Sequence, residues 1–99
     1  MPAYLIAHIE ITDPAGYEEY RKQVPPIVTA HGGRFLARGG AITVLEGSWK
    51  PTRLVILEFP DMAALKTFYD SPAYRPLIEL RNRTAKSNLV AIEGSAPPS

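Results

Sequence analysis

The sequence predicts an α+β sandwich in the order β-α-β-β-α-β, a single antiparallel sheet with its helices on one face. Three observations carry this. Runs of aliphatic and β-branched residues alternate with segments of helical period, in that order along the chain. Two helical segments open on an aspartate, Asp13 and Asp61, whose carboxylate answers free N–H groups at a helix start. The 99 residues, 45% hydrophobic and 21% charged, have the composition of one globular core. Residues 1–94 are therefore expected to form a single domain and residues 95–99, too poor in apolar surface to pack, a flexible tail.

Ala3 to Thr12 reads as a strand, with Leu5, Ala7, Ile9 and Ile11 on one face and Tyr4, Ile6, His8 and Glu10 on the other. Asp13-Pro14 opens the first helix, proline being suited to a first turn whose N–H has no use. Tyr17, Tyr20, Val24, Ile27 or Val28, and His31 follow at helical spacing. Pro25-Pro26 is expected to kink or interrupt this helix, because each proline removes a donor and crowds the preceding turn. Gly32-Gly33 ends it.

Arg34 to Arg38 is a second strand, broken at Gly39-Gly40 and expected to resume over Ala41 to Glu46. After a turn, Thr52 to Phe59 is the third main strand. Asp61 caps a helix reaching Tyr69, with Met62, Leu65 and Phe68 inward. Ser71-Pro72 repeats the cap-and-proline signature before a further helix with Tyr74, Leu77, Ile78 and Arg81 on related faces. Asn88 to Glu93 is the last strand.

This order is the ferredoxin-like, split βαβ arrangement with one extra helix before the final strand. Its helices cover the face carrying Leu5, Ala7, Ile9, Val55, Leu57 and Phe59. Ile6, Leu54, Ile56, Leu89 and Ala91 are expected on the opposite face, which no helix of the chain can reach. Soluble monomers avoid an apolar patch of that size. A homodimer packed sheet against sheet about a two-fold axis is the expected solution.

Three stretches, GGRFLARGG (32–40), LEGSWKPTRLVILEFPD (45–61) and FYDSPAYRPLIELR (68–81), resemble the domain of unknown function 1330 family, of the dimeric α/β barrel superfamily. The resemblance runs from about Tyr4 to Gly94, and the doubled Pro25-Pro26 departs from the family pattern. It implies a homodimer whose two sheets form a barrel. The superfamily includes small-molecule monooxygenases, isomerases such as muconolactone isomerase, and haem-degrading enzymes. The family itself lends no catalytic residue.

Several function classes lose support. A formal net charge of +1 gives no electrostatic reason for nucleic acid or an anionic membrane as partner. RNA recognition motifs share the element order, yet TRLVILEF is aliphatic where bases would need aromatic platforms. No cysteine is present, so disulfides and thiolate chemistry are excluded. The N-terminus does not read as a signal peptide and no apolar run approaches the roughly 20 residues of a membrane span, so a cytoplasmic protein is expected. Neither a Gly-rich phosphate loop nor metal-ligand spacing occurs, so no zinc, haem or nucleotide cofactor is expected.

The candidates for ligand binding are Arg38, Trp49, Arg53 and His8. Two guanidiniums near an indole can hold a carboxylate or phenolate on an aromatic molecule. The competing reading pairs those arginines with Glu46 or Glu58 and packs Trp49 on the sheet edge or on the other subunit. His8 would serve as a general base if Glu10 or Glu58 oriented it, and otherwise as an interface histidine. Tyr17, Tyr20, Tyr69 and Tyr74 read equally as pocket lining and as core, and RPLIELRNR as a solvated helix face. Two functions follow: a cofactor-independent enzyme of the monooxygenase or isomerase type with a pocket for a small anionic or aromatic molecule, or a non-catalytic dimeric module that binds or senses such a molecule. Both require the same pocket between sheet and helices.

Overall fold

A nine-residue strand, β1 (Ala3–Ile11), runs through the middle of the sheet in the computed structural model, which describes residues 1–95. The elements that follow are α1 (Pro14–Ala30), β2 (Arg34–Arg38), β3 (Leu54–Phe59), α2 (Met62–Tyr69), α3 (Arg75–Thr84) and β4 (Ala85–Glu93). All strand pairs are antiparallel and the spatial order is β2-β3-β1-β4, the ferredoxin-like arrangement. The expected tail falls, Ser95 apart, on residues 96–99, outside the described residues.

The core lies between one sheet face and the helices. Ala3, Leu5, Ala7 and Ile9 of β1 and Val55, Leu57 and Phe59 of β3 are buried against Tyr17, Tyr20, Val24 and Val28 of α1 and Leu65, Phe68, Tyr74 and Leu77 from the second half. Cα atoms extend only 16 Å along the shortest axis, enough for one sheet and one layer of helices at roughly 10 Å spacing. Among the described residues no helix packs on the second sheet face. The caps work as their sequence positions suggest. Asp13 accepts from the Gly16 N–H at 3.2 Å and Asp61 from the Ala64 N–H at 2.8 Å. Ser71 Oγ accepts from the Tyr74 N–H at 3.2 Å, one residue before α3 begins.

Three details differ from the sequence reading. Pro25 and Pro26 lie inside an unbroken α1. Residues 41–46 form no strand: they would run past the start of β3 at Leu54, where no neighbouring strand is left to pair with. Gly39, at φ 70°, turns the chain away there after donating its N–H to Leu54 O. The last strand starts at Ala85 rather than Asn88, because β1 is long enough to offer Ile11, Glu10 and Ile9 as partners for Ala85, Lys86 and Ser87.

That register also corrects a face. Residues directly opposite in an antiparallel pair share a side, and Leu89 faces Ala7 while Ala91 faces Leu5. Leu89 and Ala91 therefore lie on the helix side. Val90 and Ile92, opposite Ile6 and Tyr4, stand on the open side at 61% and 55% exposure. The open face remains apolar, through Ile6, Leu54, Ile56, Val90 and Ile92, with one strand's contribution shifted by a residue.

Candidate functional site

A cavity opens on the helix side of the sheet, floored by Leu5, Ala7, Ile9, Val55 and Leu57 and roofed by Tyr17, Tyr20 and Val24 of α1. Two arginines reach it from the sheet, each by way of an irregularity. In β2 the register shifts between Phe35, opposite Leu57, and Ala37, opposite Ile56. Leu36 is the extra residue. Without it Arg38 would share a face with Ala37's present side; with it Arg38 stands opposite Val55, on the same side as Phe35. Its guanidinium carbon lies 4.6 Å over the Phe35 ring.

Arg53 precedes β3 but is held in the ladder. Its carbonyl accepts from Ile9 N–H at 2.9 Å, and its neighbour Thr52 donates Oγ–H to Ile9 O at 2.9 Å. The side chain then turns toward the helices, its guanidinium carbon 5.6 Å from the Tyr17 ring centroid. Gly39, at a φ of 70° that favours glycine, leaves the space the Arg53 guanidinium occupies, and a Cβ there would displace that group.

Neither arginine has the acidic partner that the competing reading required. Glu58 is taken by Arg34 at 3.0 Å, on the open face. Glu18 is taken by Arg21 at 2.6 Å. Among the described residues no salt bridge involves Arg38 or Arg53. Arg38 donates to the main-chain carbonyl of Arg21, and Arg53 Nε is buried with no hydrogen-bond partner. Burial, and then the like charges of Arg21 and Arg53, hold the Arg38 guanidinium below its usual pKa.

The inner wall carries a third cation that the sequence reading left on a solvated face. Arg81 is only 4% exposed and donates to Tyr74 Oη at 2.8 Å and Ser87 Oγ at 3.1 Å. Tyr74 Oη in turn lies 2.6 Å from Tyr20 Oη. The signal was present in the spacing Tyr74, Leu77, Arg81, Thr84, all buried on one stripe of α3. Burial, then the neighbouring Tyr20 hydroxyl, push the Tyr74 phenol far above its usual range. Burial also raises Tyr17, against the opposing pull of Arg53. At neutral pH the lining is thus a set of donors, guanidinium N–H and phenol O–H, with no Asp, Glu or His. The space open to a water's centre is about 30 Å³, room for a water or two or a small anion before side chains move.

The sheet divides the four sequence candidates into two pairs. Arg38 and Arg53 meet in the cavity. His8 and Trp49 meet on the other side, their rings edge to face at 5.6 Å. His8 Nε2 accepts from the Thr52 N–H at 3.2 Å, so its partner is a backbone amide and not Glu10 or Glu58. Trp49 is 61% exposed and lies in the irregular segment between β2 and β3. Among the described residues no group of three His, Cys, Asp or Glu could hold a metal ion together, and no helix is long and apolar enough to cross a membrane.

Known structures share this architecture. A protein of unknown function from Rhodopseudomonas palustris is 20% identical over 97% of this chain and 84% of its own, with a TM-score of 0.77. SnoaB, a cofactor-independent oxygenase from Streptomyces nogalater, is 13% identical over 97% of this chain and 95% of its own, with a TM-score of 0.64. A dimeric ferredoxin-like protein of unknown function from Thermobifida fusca is 16% identical over 94% and 91% of the two chains, with a TM-score of 0.64. At such identities the likeness speaks for the fold. No curated protein matches the sequence. The model of one family, Domain of unknown function (DUF1330), matches residues 2–95, and the chain belongs to that family.

Proposed function

We propose that this protein is a homodimer, paired through the open sheet face, that binds a small anionic molecule in the cavity of Arg38 and Arg53. The observation that carries the binding reading is the unanswered charge. Of the four arginines that line this space, Arg38 and Arg53 have no carboxylate partner among the described residues, and one buried N–H, Arg53 Nε, has nothing to donate to. Leaving a buried donor unpaired costs about 1–3 kcal/mol, which an oxyanion would recover through charge-assisted bonds. The surrounding rings of Tyr17, Tyr20 and Phe35 suit a ligand that couples its anion to an apolar or aromatic body. The dimer is supported by the apolar open face and by the dimeric state named for the Thermobifida fusca protein.

Binding without turnover is the better-supported form, because the lining is made of arginines, tyrosines and apolar residues, with no Asp, Glu or His among the described residues to take a proton. Turnover of the bound molecule is a second reading, supported by the likeness of the protomer to SnoaB, named as a cofactor-independent oxygenase. Salicylate, a flat molecule with adjacent carboxylate and phenol, is the probe; the space of about 30 Å³ holds only a water or two, so its entry requires the lining side chains to move aside. Wild type is expected to bind it, and Arg53→Met to lose at least about tenfold in affinity. Equal affinity in both proteins would refute the anion pocket. Consumption of oxygen or loss of salicylate over time would favour the second reading.

A further inference from the structure

The doubled proline of α1 is the sequence feature that neither the core nor the cavity lining explains. An α-helix bonds each N–H to the carbonyl four residues earlier. Pro25 has no N–H, so the carbonyl of Arg21 loses its helical donor. Arg38 Nη2 donates to that same carbonyl. The acceptor is on the inner side of α1, since Arg21 itself lines the cavity. Pro26 frees Lys22 O in the same way, but Lys22 is exposed and no described side chain takes up that carbonyl.

We infer that Pro25 is a positioning residue: by withholding a helical donor from Arg21 O, it leaves an acceptor that anchors the Arg38 guanidinium at the cavity. Arg38 needs such an anchor. Among the described residues it has no carboxylate partner, it lies among like charges, and its guanidinium stacks over the face of Phe35. A carbonyl oxygen stabilises the cation without neutralising it. The guanidinium therefore keeps its full charge, and its other N–H groups, for an incoming anion. A carboxylate in the same place would have consumed both. This inference rests on the anion-pocket reading for its functional meaning, while the anchoring itself is independent of any ligand.

The test compares wild type with Pro25→Ala, Pro26→Ala and Arg53→Met. Guanidinium nitrogens of Arg38 are followed by NMR on uniformly ¹⁵N-labelled protein, and salicylate affinity is measured by titration. With Pro25→Ala the helix regains a donor for Arg21 O. The melting temperature should rise, the separate Arg38 Nη signals of the anchored group should merge, and affinity should fall about three- to tenfold. Pro26→Ala should raise the melting temperature and change neither the Arg38 signals nor the affinity. Arg38 signals that stay separate in Pro25→Ala would overturn the inference, as would merged signals with wild-type affinity when Arg53→Met does lose affinity. Merged signals with salicylate unaffected in all variants, Arg53→Met included, would uphold the anchoring and overturn the anion pocket instead.

Discussion

Replacing Arg53 by Met makes the protein more stable and less able to bind if its charge is there for a ligand. Arg53 Nε is a buried donor with no partner, and deleting it returns about 1–3 kcal/mol. The change also removes the guanidinium from above Tyr17, forfeiting about 0.5–1 kcal/mol of cation–π attraction. Methionine keeps most of the length and can lie on the same ring through its sulfur, so little packing is lost. The net expectation is a gain of about 1 kcal/mol, which for a domain of this size raises the melting temperature by about 4–8 °C. Thermal unfolding followed by circular dichroism, with and without salicylate, is the assay. Wild type should be stabilised by the ligand, and Arg53→Met should start higher and respond little. A variant that melts lower than wild type and still responds fully to salicylate would show that Arg53 is a structural residue, and the reasoning would fail.

Three further outcomes are expected. Ile56→Asp places an unpaired charge in the middle of the open face and should weaken dimerisation at least about a hundredfold; sedimentation at micromolar concentration would show a monomer, and an unmodified protein that is itself monomeric would sink the dimer. Tyr74 has a folded-state pKa raised above its ordinary 10.0 by burial, so the native state holds its proton more tightly than the unfolded chain. Its contribution is fully present below pH 10 and is lost as pH rises above it, by up to about 1.4 kcal/mol per pH unit; the part of the urea midpoint attributable to Tyr74 should hold from pH 8 to about 9.5, and midpoints should fall from pH 10 to 11, less steeply in Tyr74→Phe. Gly39→Ala forces a side chain against the Arg53 guanidinium and into a positive φ; it should cost about 1–2 kcal/mol of stability and displace Arg53, so salicylate affinity should fall with it.

Much of the fold was legible because its signals are local. Alternation over Ala3 to Ile9 and over Leu54 to Phe59 told which residues meet the helices, Ile11 beyond them being exposed, and Asp13, Asp61 and Ser71 marked helix starts by side-chain chemistry alone. What was misread depends on neighbours distant in sequence. Whether Leu89 or Val90 faces the core is decided by pairing with β1 some 80 residues away, and a one-residue difference in register exchanges the two faces. Residues 41–46 have strand-like composition, but a strand also needs an unpaired partner alongside. Of the candidate site, Arg38 and Arg53 could be named from their place at strand ends. Strand alternation already separates Arg53 from His8; that Arg38 joins Arg53, and that Trp49 joins His8, could not be read, since the first follows from the Leu36 bulge and the second from an irregular segment. Arg81 was missed because an arginine in a charged helix is usually solvated.

Three departures from regular structure surround one pair of side chains. The bulge at Leu36 turns Arg38 to the helix side, Pro25 leaves the carbonyl that receives it, and Gly39 in a left-handed conformation makes room for Arg53. Each is unfavourable by itself. A proline inside a helix costs about 3 kcal/mol, against a total stability of about 5–15 kcal/mol for a domain. Had the chain needed only a packed core, an alanine at position 25 and a regular β2 would have served it better, and a salt bridge would have quieted the two cations. Local conflicts with folding that converge on one place are a mark of function rather than of packing. Here they converge on guanidinium groups that have no carboxylate partner among the described residues, the place where the proposed anion would bind.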